Sequence, residues 1–301
     1  MRGEDALGRG RPADDVPRYS LVVAYDGTAY HGFQLQRPGL DTVAARLEAA
    51  LAKISPEGER GERVVVTGAS RTDAGVHAKG QVCAFSSRLT VPCDHLPQAL
   101  NSHLPPDIVV LSAQRAAPGF DPRRDAVSKT YRYYVWRSPL PSPFYRKWSL
   151  HFPFRLDLEA CRAALEPLEG RHDFAAFRDT GSSAQTTTRT IHRACIESRP
   201  VPAWHPPGGE VLTFEVTGDG FLYHMVRIIV GTMLEVGQGR LPPDVTREAL
   251  RSGVREELGP TAPAHGLWLE RVSYESPTEA EAAPARGEPS AALLPGGVYL
   301  P

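Results

Sequence analysis

The sequence predicts an α+β fold: two related split β-α-β halves (ferredoxin-like) forming an extended, mostly antiparallel sheet with helices on one face. Three observations carry this. Short β-branched or aromatic runs alternate with amphipathic stretches in the order β-α-β-β-α-β, then again as β-α-β-β-α-α-β. No apolar run reaches the ~18 residues that span a membrane. Hydrophobic residues make up 41% and charged residues 23% of 301, the balance of a globular body large enough for a sizeable core.

In the first half, Ser20–Tyr25 (SLVVAY) reads as a strand. Val43, Leu47, Leu51 and Ile54 recur at helical spacing, so Thr42–Ile54 reads as an amphipathic helix with Asp41 as N-cap. Arg63–Thr67 and Gln81–Phe85 read as strands, Asp94–Ser102 as a short helix and Ile108–Leu111 as a strand. In the second half, Thr130–Trp136 (TYRYYVW) is a strand. Asp157–Leu168 is a helix with Leu158, Cys161, Leu165 and Leu168 on one face. Arg189–Glu197 and Val211–Val216 read as strands, Phe221–Val236 and Val245–Ser252 as helices, and Leu267–Tyr274 as the closing strand. Ser138–Ser149 and the proline-rich Arg199–Gly209 read as loops.

Domain organisation follows. Residues 1–17 form a charged tail and 277–301 a Pro/Ala/Glu/Gly-rich one, both expected to be disordered because they bury too little apolar surface. Between them stand an N-terminal domain, 18–113, and a C-terminal domain, 114–276, with the boundary near Ala113–Ala117. The first 16 residues hold no apolar run, so no secretory signal is expected. Cys83, Cys93, Cys161 and Cys195 lie far apart without a Cys-x-x-Cys pair, which argues against a disulfide framework or zinc knuckle and points to a reducing cytoplasm.

The formal net charge is only −1, so any anion-binding surface must come from local clustering. Lysine occurs only at 53, 79, 129 and 147, and arginine supplies the rest of the 34 basic residues. Arginine suits bidentate contacts with phosphate and base edges, and a GC-rich genome produces the same bias. Arg123, Arg124, Lys129, Arg132, Arg137, Arg146 and Lys147 form the densest basic run, interleaved with aromatics. It reads either as a nucleic-acid-facing surface or as a solvated face.

The most informative string is Ser70-Arg71-Thr72-Asp73-Ala74-Gly75-Val76-His77-Ala78. An isolated Asp in such a turn bonds its own backbone. Here Arg71 lies two residues before Asp73, and Gly75 lets the backbone approach a ligand. The stretch also leads into a strand, which puts Asp73 at a sheet edge rather than on a remote tip. His77 and His224 are too far apart in sequence, and too far from cysteine, to suggest a metal site, and read instead as structural histidines or RNA contacts. Asp26 in Tyr25-Asp26-Gly27 reads as a turn residue rather than as half of a glycosidase pair with Asp73.

The string resembles the active-site motif of the TruA family of tRNA pseudouridine synthases, with Ser70 where glycine often precedes the arginine. Other segments resemble that family in order: Tyr25-Asp26-Gly27 through Gln36, with Phe33 where tryptophan is common; Leu100-Asn101 and Leu104-Pro105; Phe120 to Arg123; Lys129-Thr130-Tyr131-Arg132-Tyr133; Gly170 to Phe174; Phe221-Leu222-Tyr223-His224-Met225-Val226-Arg227; and Ala262 to Leu269. The resemblance implies ferredoxin/RRM-like halves with an active-site cleft between them. It implies an isomerase that converts uridine to pseudouridine on the 3′ side of the anticodon stem-loop of tRNA. It also implies a homodimer and no cofactor or metal.

By that resemblance Asp73 is the catalytic nucleophile, Arg227 pairs with it, and Tyr131 packs against the target base with a phenol also placed for proton transfer. Arg71 neutralises a phosphate or holds the nucleotide open. Leu267 reads equally as pocket wall or as core. The chemistry suits these residue types. The reaction breaks an N-glycosidic bond and rejoins the sugar through C5, so it needs a carboxylate, not an oxidant. A cation beside a carboxylate in a closed pocket keeps it ionised against desolvation. The base must also be flipped from its stack. The competing expectations are a catalytically silent RNA-binding or folding protein on the same scaffold, and a glycosidase that releases free base.

Overall fold

The computed structural model describes residues 16–37, 39–181, 185–200 and 209–275. The expected tails lie outside these residues, except for Val16 and Pro17. Among the described residues ten strands form one sheet. In chain order they are β1 (Arg18–Tyr25), β2 (Thr67–Gly68), β3 (His77–Ser86), β4 (Ile108–Ala116), β5 (Ser128–Arg137), β6 (Leu150–Phe152), β7 (Gly170–Asp173), β8 (Thr188–Pro200), β9 (Glu210–Gly218) and β10 (Leu267–Ser273). The main path runs β4-β1-β3-β10-β5-β9-β8-β7, with β2 on β3 and β6 on β5. Pairing is antiparallel except for β3 with β10 and β5 with β6. The fold class expected from the sequence holds.

Among the described residues six α-helices accompany the sheet: α1 (Val43–Ile54), α2 (Pro56–Glu59), α3 (Leu96–Asn101), α4 (Leu158–Leu165), α5 (Met225–Gly237) and α6 (Val245–Ser252). Alternation along the strands shows why they gather where they do. On β1, Tyr19, Leu21, Val23 and Tyr25 are buried; on β9, Leu212, Phe214 and Val216 are buried while Thr213, Glu215 and Thr217 are partly exposed. That period of two gives the sheet an apolar face, and α1, α4 and α5 bury Leu47, Leu51, Cys161, Leu165, Ile228 and Ile229 in the same core. Asn101 closes α3 onto β4 by exchanging bonds with the Val110 backbone, 2.8 and 3.0 Å.

β10 joins the two sequence halves. Trp268 and Leu269 pair with His77 and Ala78 of β3 on one side. On the other, β10 pairs with β5 from Leu267↔Tyr133 to Ser273↔Ser128. A strand from late in the chain thus sits between the first half and the rest. β4 runs through to Ala116, so the segment expected to separate the halves is itself a strand.

Several elements differ from expectation. The Arg63–Thr67 strand is reduced to Thr67–Gly68. Its backbone turns instead to α1: the Glu48 carboxylate accepts the Val66 amide at 3.0 Å and pairs with Arg63 at 2.6 Å. The N-cap of α1 is Thr42, whose hydroxyl accepts the Ala45 amide, while Asp41 pairs with Arg46. The helix expected from Phe221 begins only at Met225, because His224 adopts a left-handed conformation, φ 61°. The strands β6 and β7 and the turn of helix α2 were not expected; each is four residues or fewer, too short for a periodicity. The first part of the expected 199–209 loop continues β8 to Pro200, and residues 201–208 lie outside the described part.

Candidate active site

Two glycine-containing turns interlock where β1 ends and β3 begins. Phe33 donates its amide to Thr72 O at 3.0 Å, and Gly75 donates to Tyr30 O at 3.3 Å. Gly32 and Gly75 both have positive φ, 94° and 77°. A Cβ on Gly32 would lie 2.6 Å from Thr72 O, so only glycine permits this approach. Val76 closes the turn onto Asp73 O at 3.1 Å. Tyr25 and Thr72 share a 2.8 Å hydroxyl bond, and buried Gln81 holds Ser70 through both its amide and its carbonyl. The Arg71–Gly75 loop is therefore anchored from below through Thr72, and its Arg71 and Asp73 side chains face outward.

They face a cavity of about 650 Å³, the size of a small-molecule site. Asp73, Arg71, Ser70 and His31 come to it from the first half; Arg123, Lys129, Tyr131, Arg189, Asp219, Phe221, His224 and Leu267 come from the second. The wall carries four basic side chains, Arg71, Arg123, Lys129 and Arg189, against the carboxylates Asp73 and Asp219. A chain of net charge −1 thus concentrates positive charge here.

Asp73 sits partly buried, with a guanidinium and an imidazole within reach. Arg227 Nη1 lies 3.6 Å from Asp73 Oδ2, and His224 Nε2 lies 3.5 Å from it. Burial pushes the Asp73 carboxyl above its ordinary range, and His224 and Arg227 pull it partly back. Neither contact has the length of a tight hydrogen bond, so the carboxylate keeps lone pairs for a reacting atom. Arg227 is itself fixed, its Nε donating to Ala262 O at 2.7 Å. Of the expected site residues, Asp73, Tyr131 and Arg71 line one cavity, and Arg227 reaches it through its contact with Asp73.

Tyr131, on β5, is buried and touches Phe221 edge to face, ring centroids 5.1 Å apart. Its hydroxyl shares a 2.6 Å bond with Ser70 Oγ. Burial, with the Asp73 charge adding, pushes its phenol up to about 12 although the Ser70 bond opposes. A phenol so held is a poor base at neutral pH. Arg71 is exposed on the cavity wall, away from Asp73's ion pairs. Leu267 is both cavity wall and core.

Sequence reasoning named His224 but missed its place beside Asp73 and what holds it there. His224 Nδ1 lies 2.7 Å from Asp179 Oδ2, and Asp179 also takes Thr261 Oγ1 at 2.9 Å and Arg255 Nε at 3.2 Å. Burial acts to raise Asp179, but the bonds from His224, Thr261 and Arg255 hold it below the usual carboxylate range. The late start of α5 explains the arrangement: His224 ends the irregular segment and Arg227 lies one turn on, so both reach Asp73. The adjacency of His224 to Arg227 was the available signal; nothing near Asp179 offered one. His77, by contrast, is structural: fully buried, it accepts from the Gly27 amide, contacts His265 O and stacks on Trp268 at 4.4 Å.

The basic run is divided by strand alternation. Lys129 faces the cavity, whereas Arg132 lies on the opposite face of β5, between Glu215 at 2.8 Å and Glu270 at 3.4 Å. Arg137 pairs with Glu210. Arg124 pairs with Asp125 at 3.1 Å.

Comparison with known proteins agrees with this geometry. A family model described as tRNA pseudouridine synthase matches residues 21–122 and 164–275. A tRNA pseudouridine synthase A from Syntrophomonas wolfei is 46% identical over 259 residues, covering 86% of this chain and 98% of that protein. The protein of that name from Bacillus subtilis is 40% identical, covering 86% of this chain and all of the relative. The matched segments contain both the Asp73 loop and the His224–Arg227 turn, and this chain belongs to the tRNA pseudouridine synthase family.

Proposed function

We propose that this chain isomerises uridine to pseudouridine in tRNA, with Asp73 as the nucleophile. The observation that carries the reading is the Asp73 carboxylate at the cavity, half desolvated, within 3.6 Å of Arg227 and beside Tyr131. In the reaction the C1′–N1 bond breaks, C1′ bonds to C5, and the C5 proton is lost while N1 regains one. Atoms and electrons balance without an oxidant, so the chemistry calls for no cofactor. Asp73 acts at the reacting sugar or base, Arg227 keeps it ionised, Tyr131 supports the flipped base, and Arg71 meets a phosphate or holds the nucleotide out.

The target is the 3′ side of the anticodon stem-loop, the working form is a homodimer, and the location is cytoplasmic. The 18–113 and 114–276 segments act as the two walls of the cleft. What favours catalysis over silent RNA binding is the convergence of Asp73, Arg227 and Tyr131, since a binding scaffold has no use for a carboxylate facing an anionic ligand. The test is incubation of the full chain with an unmodified tRNA transcript, followed by nucleotide mapping. Pseudouridine confined to the anticodon arm is expected. Free uracil would identify a glycosidase, and unchanged uridine a silent binder.

A further inference from the structure

Lys129 differs from most of the molecule's charged side chains. It lies two residues before Tyr131 on β5 and so on the same face of the strand. It is only 9% exposed, yet it lines the cavity. Among the described residues its ammonium has no hydrogen-bond acceptor and no ion-pair partner. Asp219 stands nearby, but its Oδ1 accepts the Thr190 amide at 3.0 Å.

Two more cations converge on the same place. Arg189 is oriented by the carbonyls of Thr186 and Thr188, at 3.1 and 2.6 Å, and no carboxylate pairs with it among the described residues. Arg123 is exposed, and its guanidinium likewise has no acceptor among the described residues. An unpaired buried charge is costly, and two neighbours of like sign add to the cost. The next basic residue on the strand shows the contrast: Arg132, on the other face, has two carboxylates. The protein neutralises the back of β5 and leaves the cavity side unpaired.

We propose that Lys129, Arg123 and Arg189 form a subsite for one phosphodiester of the RNA strand that enters the cavity. The phosphate lies next to the nucleotide whose base rests on Tyr131. This rests on the proposed function, and it adds which groups hold the backbone. Two residues of strand separate Lys129 from Tyr131 by about 6.6–6.8 Å, a span that suits base and backbone of adjoining nucleotide units.

Burial pushes the Lys129 ammonium down to about 8, with Arg123 and Arg189 adding and Asp219 opposing. These three come from the 120–125 turn, β8 and the end of β9, while β10 faces Lys129 with uncharged Val272. A phosphate reverses the effect, so RNA binding by the parent must weaken as pH rises through about 8.

The experiment measures binding of one tRNA transcript to the full chain as a function of salt and pH, with pseudouridine formation by the parent alongside. Lys129→Met should weaken binding about tenfold and reduce the salt slope by about one. Lys129→Arg should keep the affinity and lose the decline between pH 7 and 9. Arg123→Ala, on an exposed turn, should weaken binding severalfold. Single methylphosphonate substitutions around the target uridine should reveal one position that weakens the parent but not Lys129→Met. Should Lys129→Met fail to fold, the Lys129→Arg pH profile and Arg123→Ala decide. A parent that makes pseudouridine, with affinity and salt slope indifferent to Lys129 and Arg123, overturns the subsite alone. A parent that makes none overturns the proposed function instead.

Discussion

Asp26 and Asp73 stand in adjoining turns, and the molecule treats them in opposite ways. Asp26 accepts from the Thr28 amide at 3.0 Å, the Thr28 hydroxyl at 2.5 Å and Trp148 Nε1 at 3.2 Å, with His77 beside it. Burial acts to raise its carboxyl, but His77, Thr28 and Trp148 together hold it well below the carboxylate range. Among the described residues Asp73 has no such donors, only the His224 ring at 3.5 Å and the Arg227 guanidinium at 3.6 Å, and burial leaves its carboxyl raised. One carboxylate has used its lone pairs on the fold; the other keeps them. Two acids of the same type separated in this way mark which one is free for chemistry.

The largest test of that contrast is Asp73→Asn. It should lower pseudouridine formation by on the order of 10⁴-fold, as removal of a covalent nucleophile does. It should leave thermal stability unchanged or raise it, because ionising a buried carboxyl whose pKa is raised opposes folding at neutral pH. Single-turnover rates and melting curves check both halves. Retained turnover would remove Asp73 from the chemistry.

Arg227→Met comes next. A loss of roughly 10²–10³-fold at neutral pH is expected for removal of one preorganised charge partner. The sign follows from Asp73: with a cation gone, its carboxyl rises further, so activity should appear only at higher pH than in the parent. A pH–rate profile that overlays the parent's would contradict the pairing.

Tyr131 sharpens the question of what the cavity wall does. Tyr131→Leu should cost ~1–3 kcal/mol of transition-state binding, the size of a lost base–aromatic stack. Tyr131→Phe keeps the ring, and since the hydroxyl is engaged by Ser70 it should retain activity to within about tenfold. A loss of 10²–10⁴-fold in Tyr131→Phe would restore the phenol as a proton carrier.

The smallest catalytic effect belongs to Asp26→Asn. Activity should stay within a few-fold of the parent, while stability falls by about 1–3 kcal/mol as a buried acceptor pattern is broken. Because the folded carboxyl is depressed, its contribution is present at neutral pH and lost on acidification below about 4. The gap between variant and parent should therefore close at low pH in denaturant titrations.

Much of this was legible in the sequence because it rests on periodicity. β1, β5, β9 and α1 announce themselves by side-chain alternation or by the Val43, Leu47, Leu51, Ile54 spacing. Asp73, Tyr131 and Arg227 stood out through their flanking residues. What was not legible depends on long-range partners. Glu48 reaches from α1 to take the Val66 amide, and no local pattern says that this replaces a strand. His224 in a left-handed conformation interrupts a segment whose apolar spacing is helical. The Asp179–His224 contact spans 45 residues, and the Tyr131–Ser70 bond spans 61. Such groups become functional only through the company that the fold gives them.

The position of β10 has a consequence for biosynthesis. Spatial order along the sheet is not the order in which the chain is made, since the strand from Leu267 to Ser273 lies between β3 and β5. At about 5–20 residues per second, the ribosome exposes a nascent chain for many seconds with both of those strands unpaired along that border. Open strand edges invite wrong partners, and pairings distant in sequence form slowly. Neither wall of the cavity can be set against the other until Leu267 has emerged. A nascent chain that has not reached Ser273 therefore lacks the strand that joins the two walls of the cavity.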